Sequence, residues 1–334
     1  MPQTNESLKI SVLALGNWGT AIANYLCTKG HQVIGWSSSK DIVDSVNQRN
    51  VNPSSFNNFK LHSGLKATHD INEALKSEII ILAFPSAALG EIGPVIGKHS
   101  PKLIISALKG IEATTLLTPL DYLASHIKHP ADLVVLSGPS FAIDLINLRP
   151  IGIVAGSKNE EAAWRTADIF TGPTFKVYIS TDPLGVELGG IVKNTVALAA
   201  GVCDGLGFGD SARASLITRG LAEMKRLATA MGADPQTLTG LSGLGDLVMT
   251  SSCDTSRNRT VGLRLAKGET LNQITETLGS VAEGLVSSPL ILKLSEKHAV
   301  DMPITTQVCR FLRGEISIPD AAKELLSRPS KREF

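Results

Sequence analysis

A chain of 334 residues with 43% hydrophobic and 19% charged residues is long and apolar enough for two folded domains, which excludes a disordered chain. The formal net charge of +1 argues against a nucleic-acid or membrane surface held by bulk electrostatics. Any anionic ligand must therefore be caught by a few placed cations and backbone amides.

From the N-terminus, short Val/Ile/Leu runs alternate with segments of helical spacing. Strands are predicted at 10–15, 32–36, 78–83, 102–107, 133–136, 152–155 and 175–179. Helices are predicted at 20–28, 42–48, 71–75, 116–126 and 160–170. Continuous apolar runs mark strands buried on both faces, and strand–helix–strand order implies a doubly wound, Rossmann-type α/β domain. After Thr181 only helical patterns remain, at 183–201, 211–231, 261–266 and 285–298. The expected organisation is a dinucleotide-binding domain over 1–180 and an all-α substrate domain over 181–334, with Pro183 in the first turn of its opening helix.

The first strand runs into Ala14-Leu15-Gly16-Asn17-Trp18-Gly19, the position at which a strand-to-helix turn seats pyrophosphate on helix N-terminal amides. Ala14 stands where the fingerprint's first glycine is expected. After the second strand the chain reads Ser37-Ser38-Ser39-Lys40 rather than placing an acidic residue there. With no carboxylate to repel a 2′-phosphate, the reading leans to NADP or to dual use over NAD alone. A plain strand–turn–helix glycine pair and a solvated turn are the bland alternatives.

The helix from Pro183 is apolar nearly all round, so Lys193 and Asn194 within it are anomalies. Burial makes a lysine's cation costly and suits it to general acid/base work, whereas a lysine that snorkels or pairs with Glu187 would be merely structural. Gly185, Gly189 and Gly190 give up helix propensity to admit a close neighbour. Further on, Gly240-Leu241-Ser242-Gly243-Leu244-Gly245-Asp246 and Thr255-Ser256-Arg257-Asn258-Arg259 suit an anionic, hydroxylated ligand. Arg257 can grip a phosphate through its planar fork. A flexible polar loop is the bland reading here.

Six pieces occur in order: Leu108-Lys109-Gly110, Ser137-Gly138-Pro139-Ser140-Phe141-Ala142, Lys193-Asn194, Ser242-Gly243-Leu244-Gly245-Asp246-Leu247, Ser256-Arg257-Asn258-Arg259 and Glu283-Gly284. Together they resemble the bacterial-type NAD(P)-dependent glycerol-3-phosphate dehydrogenase family over roughly residues 8 to 325. The resemblance implies hydride transfer between NAD(P)H and dihydroxyacetone phosphate, giving sn-glycerol 3-phosphate for glycerophospholipid synthesis. It implies Lys193 as proton donor and acceptor and Lys109 touching both cofactor and substrate; on physical grounds Asp246 is expected to orient Lys193 and offset its charge. Substrate contacts would fall at Lys109, Gly138, Ser140, Lys193, Asp246, Ser256, Arg257 and Asn258. Cofactor contacts would fall at Gly16, Asn17, Trp18, Gly19, Ser38, Lys109, Ala142, Arg257, Val281 and Glu283. The departures are Ala14 for the first glycine and serines after the second strand.

A ketopantoate or hydroxyacid reductase shares this domain plan, but its substrate does not call for the Ser256–Arg259 loop. A turnover-silent nucleotide sensor would not need Lys193, Lys109 and Asp246. No metal site is expected, because His126 and His129 lack partners of the right kind. The four cysteines, Cys27, Cys203, Cys253 and Cys309, form no CxxC pair and suit reduced thiols. The apolar run at 10–15 is too short for a signal-peptide core, and no stretch reaches the length of a membrane span. The expectation is a cytoplasmic protein acting on a small molecule, with apolar second-domain helices that suit a homodimer.

Overall fold

The computed structural model describes residues 7–56, 59–279, 282–330 and 332–333. It falls into two compact units, residues 1–187 and 188–334.

The first unit is built on eight strands: β1 (Lys9–Leu13), β2 (Gln32–Trp36), β3 (Lys66–Thr68), β4 (Ile79–Leu82), β5 (Leu103–Ser106), β6 (Asp132–Ser137), β7 (Ile151–Gly156) and β8 (Phe175–Ser180). Seven helices connect them: α1 (Asn17–Thr28), α2 (Lys40–Arg49), α3 (Ile71–Ala74), α4 (Leu89–Ile96), α5 (Pro119–His126), α6 (Ala142–Ile146) and α7 (Glu160–Phe170). The spatial order is β3-β2-β1-β4-β5-β6-β7-β8, and its first six places are the dinucleotide-binding order. Side chains alternate between two apolar layers. Ile10, Val12, Ile79, Ile81, Leu103 and Ile105 enter one, while Leu13, Ile80, Leu82 and Ile104 enter the other. Burial on both faces is why these strands read as unbroken apolar runs.

Three features of the strands differ from the sequence expectation, and the short helices α4 and α6 have no counterpart in it. Strand β1 stops at Leu13 rather than Leu15, because Ala14 turns the chain with φ +83°. Strand β3 is a three-residue edge, Lys-Ala-Thr, too short and mixed to announce itself. Strand β7 runs antiparallel to β6. The intervening α6 has five residues, about 7.5 Å of helix, too little to carry the chain back for a parallel pairing.

The remaining helices are α8 (Pro183–Gly205), which spans the division between the units, then α9 (Asp210–Ala230), α10 (Asp246–Ser252), α11 (Arg257–Ala266), α12 (Leu271–Leu278), α13 (Glu283–Lys297), α14 (Pro303–Leu312) and α15 (Ile318–Leu326). Among the described residues no strand follows β8. Asp182 opens α8 by accepting from the Gly185 amide at 3.0 Å, and Pro183 fills its first position. Among the described helices α8 alone is long and apolar enough to cross a membrane, and that stretch is wholly buried within the protein. Its glycines serve packing. A side chain on Gly189 would meet the Ser242 carbonyl, and one on Gly201 the Arg259 carbonyl.

Candidate active site

In the first unit the glycine turn presents Gly16 and Asn17 on the surface and half-buries Trp18, while Gly19 is buried. Helix α1 has no acidic residue in its first turn and no side-chain cap. Open space of at least 4 Å surrounds the position where Gly16 would carry a side chain. Unspent amides beside open space fit a pyrophosphate. Gly19 is required for a different reason, since a Cβ there would lie 1.9 Å from the Ala14 carbonyl oxygen. The buried Asn52 pins the turn, donating to Leu15 O at 2.7 Å and to Thr20 Oγ1 at 2.8 Å. Asn52 was not singled out from the sequence, and its Asn-Pro context reads as an ordinary loop.

At the end of β2 the serines have separate tasks. Ser37 Oγ accepts from the Ser39 amide at 3.2 Å, and Ser39 caps α2. Only Ser38 and Lys40 are exposed. The groups available to a 2′-phosphate therefore narrow to these two.

Lys109 and Ser140 converge on one backbone group. Lys109 Nζ donates to Gly138 O at 3.4 Å, and Ser140 Oγ donates to the same oxygen at 3.1 Å. Gly138 has φ +153°, and a Cβ there would meet the Ile153 backbone at 2.8 Å. Ala142, half-buried, opens α6 just beyond. The loop after Lys109 is held by Glu112, which accepts from the Thr114 and Thr115 amides and from Thr115 Oγ1. Burial works to raise the Glu112 carboxyl, but these hydrogen bonds outweigh it and hold the group below the usual carboxylate range.

In the second unit Lys193 is 4% exposed and Asp246 is fully buried. The Lys193 ammonium donates to the Asp246 carboxylate and, at 2.7 Å, to Thr250 Oγ1. Thr250 Oγ1 in turn lies 3.2 Å from Asp246 Oδ1. This corrects the bland alternatives for Lys193, which neither snorkels to solvent nor pairs with Glu187. Glu187 is instead turned into the first unit, where it accepts from the Leu120 amide at 2.9 Å. Burial pushes its carboxyl up to about 8. The glycine-rich run Leu241–Gly245 folds as one π-helical turn, which delivers Asp246 to the first turn of α10. A carboxylate is favoured there by the helix dipole. Thr250 went unnoticed in the sequence, although it lies one helical turn past Asp246 on the same face.

The Ser256–Arg259 run is ordered rather than a flexible loop. Ser256, 2% exposed, caps α11 by accepting from the Arg259 amide. Asn258 donates to Asn194 Oδ1 at 2.9 Å and accepts from the Gly284 amide at 2.8 Å. These two bonds tie α11 to α8 and to the first turn of α13. The two arginines diverge: Arg257 is exposed, whereas Arg259 is bound to Asp204 and Asp254. Glu283 is half-buried at the start of α13. Val281 lies outside the described residues.

Among the described residues no group of three or more histidine, cysteine or acidic side chains could hold a metal ion. Within the second unit a buried lysine held by a carboxylate and a hydroxyl has the chemistry of a proton-transfer group, and the exposed Arg257 on α11 that of an anion contact.

Comparison with known proteins bears on this chemistry. Residues 9–163 match the family model described as NAD-dependent glycerol-3-phosphate dehydrogenase N-terminus, and residues 182–323 match its C-terminus counterpart. The chain is 42% identical over 332 residues to a glycerol-3-phosphate dehydrogenase (NAD(P)+) of Nitratidesulfovibrio vulgaris, covering 98% of this chain and 100% of the relative. It is 38% identical over 330 residues to the Staphylococcus aureus enzyme of the same description, covering 97% and 99%. A crystal structure of glycerol-3-phosphate dehydrogenase from Coxiella burnetii superposes with a TM-score of 0.93 at 36% identity, covering 96% of this chain and 99% of that one.

Proposed function

Because the chain belongs to the NAD-dependent glycerol-3-phosphate dehydrogenase family, we propose that it interconverts dihydroxyacetone phosphate and sn-glycerol 3-phosphate with Lys193 as general acid and base. The observation that carries this reading is the Lys193 ammonium buried against Asp246 and Thr250.

The cofactor is NAD or NADP, and when bound in reduced form it supplies the hydride that turns the ketone carbon into a secondary alcohol carbon. Charge then develops on the former carbonyl oxygen, and Lys193 Nζ donates the proton that neutralises it. The resulting amine stays hydrogen-bonded to Asp246 and Thr250 and regains a proton from solvent. In the reverse direction the neutral amine accepts the hydroxyl proton. Asp246 orients Nζ and stabilises its charged form, so the lysine is ready at the start of each reduction.

Substrate recognition falls in this reading to Lys109, Gly138, Ser140, Ser256, Arg257 and Asn258, with the Arg257 guanidinium on the phosphate. Residues Gly16, Asn17, Trp18, Gly19, Ser38, Lys109, Ala142, Arg257, Val281 and Glu283 hold the cofactor. Ser38 and Lys40 accept a 2′-phosphate and favour NADP or dual use. Residues up to about 180 bind nucleotide, and the helical remainder binds substrate. The physiological direction is reduction, feeding glycerophospholipid synthesis in the cytoplasm, and the chain works as a homodimer.

The test is the rate of NADH and NADPH oxidation with dihydroxyacetone phosphate and with unphosphorylated dihydroxyacetone. Fast turnover of the phosphorylated ketone alone supports the reading, and equal turnover of both ketones overturns the phosphate assignment. A Lys40→Ala variant raises the KM for NADPH and leaves that for NADH unaltered if Lys40 grips the 2′-phosphate.

A further inference from the structure

Asp204 stands near the C-terminal end of α8, the helix that carries Lys193. Its side chain is 9% exposed, and its two oxygens are shared between arginines from different helices. Oδ1 accepts from Arg213 Nη1 of α9 at 2.7 Å, and Oδ2 accepts from Arg259 Nε of α11 at 2.7 Å. Each arginine has a second carboxylate, Asp210 for Arg213 and Asp254 for Arg259, but those are 90% and 97% exposed. Exposed pairs of that kind contribute little. Asp204 is the most enclosed carboxylate of the network.

What Arg259 holds in place is the first turn of α11. Its amide donates to Ser256 Oγ, and its guanidinium reaches back to α8. Between these two anchor points lie Arg257 and Asn258. The same turn is pressed against α8 by glycine. A Cβ on Gly201 would lie 1.9 Å from Arg259 O, so no side chain separates the two backbones there. A buried ion pair adds little net stability over well-packed apolar residues of the same volume. A planar guanidinium fork on a fixed carboxylate does, however, set orientation as well as distance.

We infer that Asp204 is a positioning residue for the substrate's phosphate: through Arg259 it fixes where the first turn of α11 holds Arg257 and Asn258 relative to Lys193. The inference rests on the proposed role of Arg257 on the phosphate. Helix α8 then carries both the proton-transfer lysine and the anchor of the phosphate-binding turn. Arg213 shares the carboxylate and keeps it aligned while the α11 turn is loaded.

Two variants test this. Asp204→Asn keeps the shape and removes the charge, and Arg259→Lys keeps the charge and removes the fork. Each is assayed for kcat and KM with dihydroxyacetone phosphate, for kcat/KM with unphosphorylated dihydroxyacetone, and for NADPH affinity. The expected result is a fall of about ten- to a hundredfold in kcat/KM for the phosphorylated ketone, carried mainly by KM, since small displacements of a binding group cost on this scale. The unphosphorylated ketone and the cofactor are handled as before. In Asp204→Asn/Arg257→Ala, the loss is smaller than the two single losses combined, because both act through the same α11 turn. A parallel fall for both ketones makes Asp204 a purely structural residue and overturns the inference, as does unchanged KM in both variants. If Asp204→Asn does not fold, Arg259→Lys carries the same comparison. An Arg257→Ala enzyme with unaltered KM for dihydroxyacetone phosphate overturns the phosphate reading itself, whatever the Asp204 variants do.

Discussion

Gly201 and Gly262 lock two helices together: a Cβ on Gly201 of α8 would lie 1.9 Å from Arg259 O, and one on Gly262 of α11 would lie 1.9 Å from Leu198 O. Each helix has a glycine where the other's backbone arrives, so the contact is backbone on backbone and has no flexible side chain to yield. Gly201→Ala is therefore expected to destabilise the protein at the upper end of the overpacking range, about 3 kcal/mol, despite alanine's better helix propensity. The shift of α11 also raises the KM for dihydroxyacetone phosphate. Urea unfolding and steady-state kinetics on the same preparation check both, and a variant as stable as the parent refutes the interlock.

Lys193 and Asp246 make opposite demands on stability and on turnover. Lys193→Ala leaves the Asp246 carboxylate buried without its cation, which costs about 3–5 kcal/mol. The same change removes the proton donor and lowers kcat by about 10²–10⁴-fold, with cofactor affinity largely kept. The double variant Lys193→Met/Asp246→Leu separates these effects. It regains most of the lost stability, since apolar replacements fill a buried pair's volume well, yet stays inactive. Near-normal kcat in Lys193→Ala ends the acid/base role.

How much of this could be read in the sequence depends on the range over which each signal acts. The alternation of apolar runs with helical segments is local, and it places seven of the eight strands, most plainly β4, whose four residues are all apolar and buried. Strand β3 was invisible, since an edge of Lys66, Ala67 and Thr68 buries too little to leave a pattern. Lys193 stood out as a cation in an apolar helix, and Asp246 as a carboxylate in a glycine-rich turn. Their partnership with Thr250 needs the π-helical turn at Leu241–Gly245, which no spacing rule announces. The Ser256–Arg259 run looked like one basic cluster, but the two arginines part company: Arg259 is consumed by Asp204, a residue that lies 55 positions away in the chain. Long-range ion pairs of this kind leave no local mark.

Ala14 sits at φ +83° in the turn between β1 and α1, a conformation that costs a residue with a Cβ about 1–2 kcal/mol. Replacing it with glycine removes that strain but adds freedom to the unfolded chain, which returns part of the gain. The net expectation for Ala14→Gly is a stabilisation of about 1 kcal/mol, read as a modest rise in Tm. Nucleotide affinity should stay level or improve, because the turn keeps its shape. A fall in both Tm and NADPH affinity shows that the Ala14 methyl group packs usefully.

Glu187 and Glu223 together give the protein a pH dependence of definite sign. Burial pushes the Glu187 carboxyl up to about 8 and that of Glu223 up to about 7, although both accept backbone amide hydrogen bonds, from Leu120 and from Ile304 and Thr305. In the unfolded chain both titrate near 4.5. Between these values the folded state holds protons that the unfolded state has released, so stability falls as pH rises from about 4.5 towards 8. Each group contributes at most about 1.4 kcal/mol per pH unit. Below 4.5 both states are protonated and the two groups contribute no slope. Glu187→Gln fixes that site in its neutral form and can still accept from the Leu120 amide. Its unfolding free energy relative to the parent should therefore grow between pH 5 and pH 8, measured by urea denaturation at several pH values. A difference independent of pH across that window means that Glu187 is ionised in the folded protein at neutral pH, and the carboxylate then needs a partner beyond the Leu120 amide.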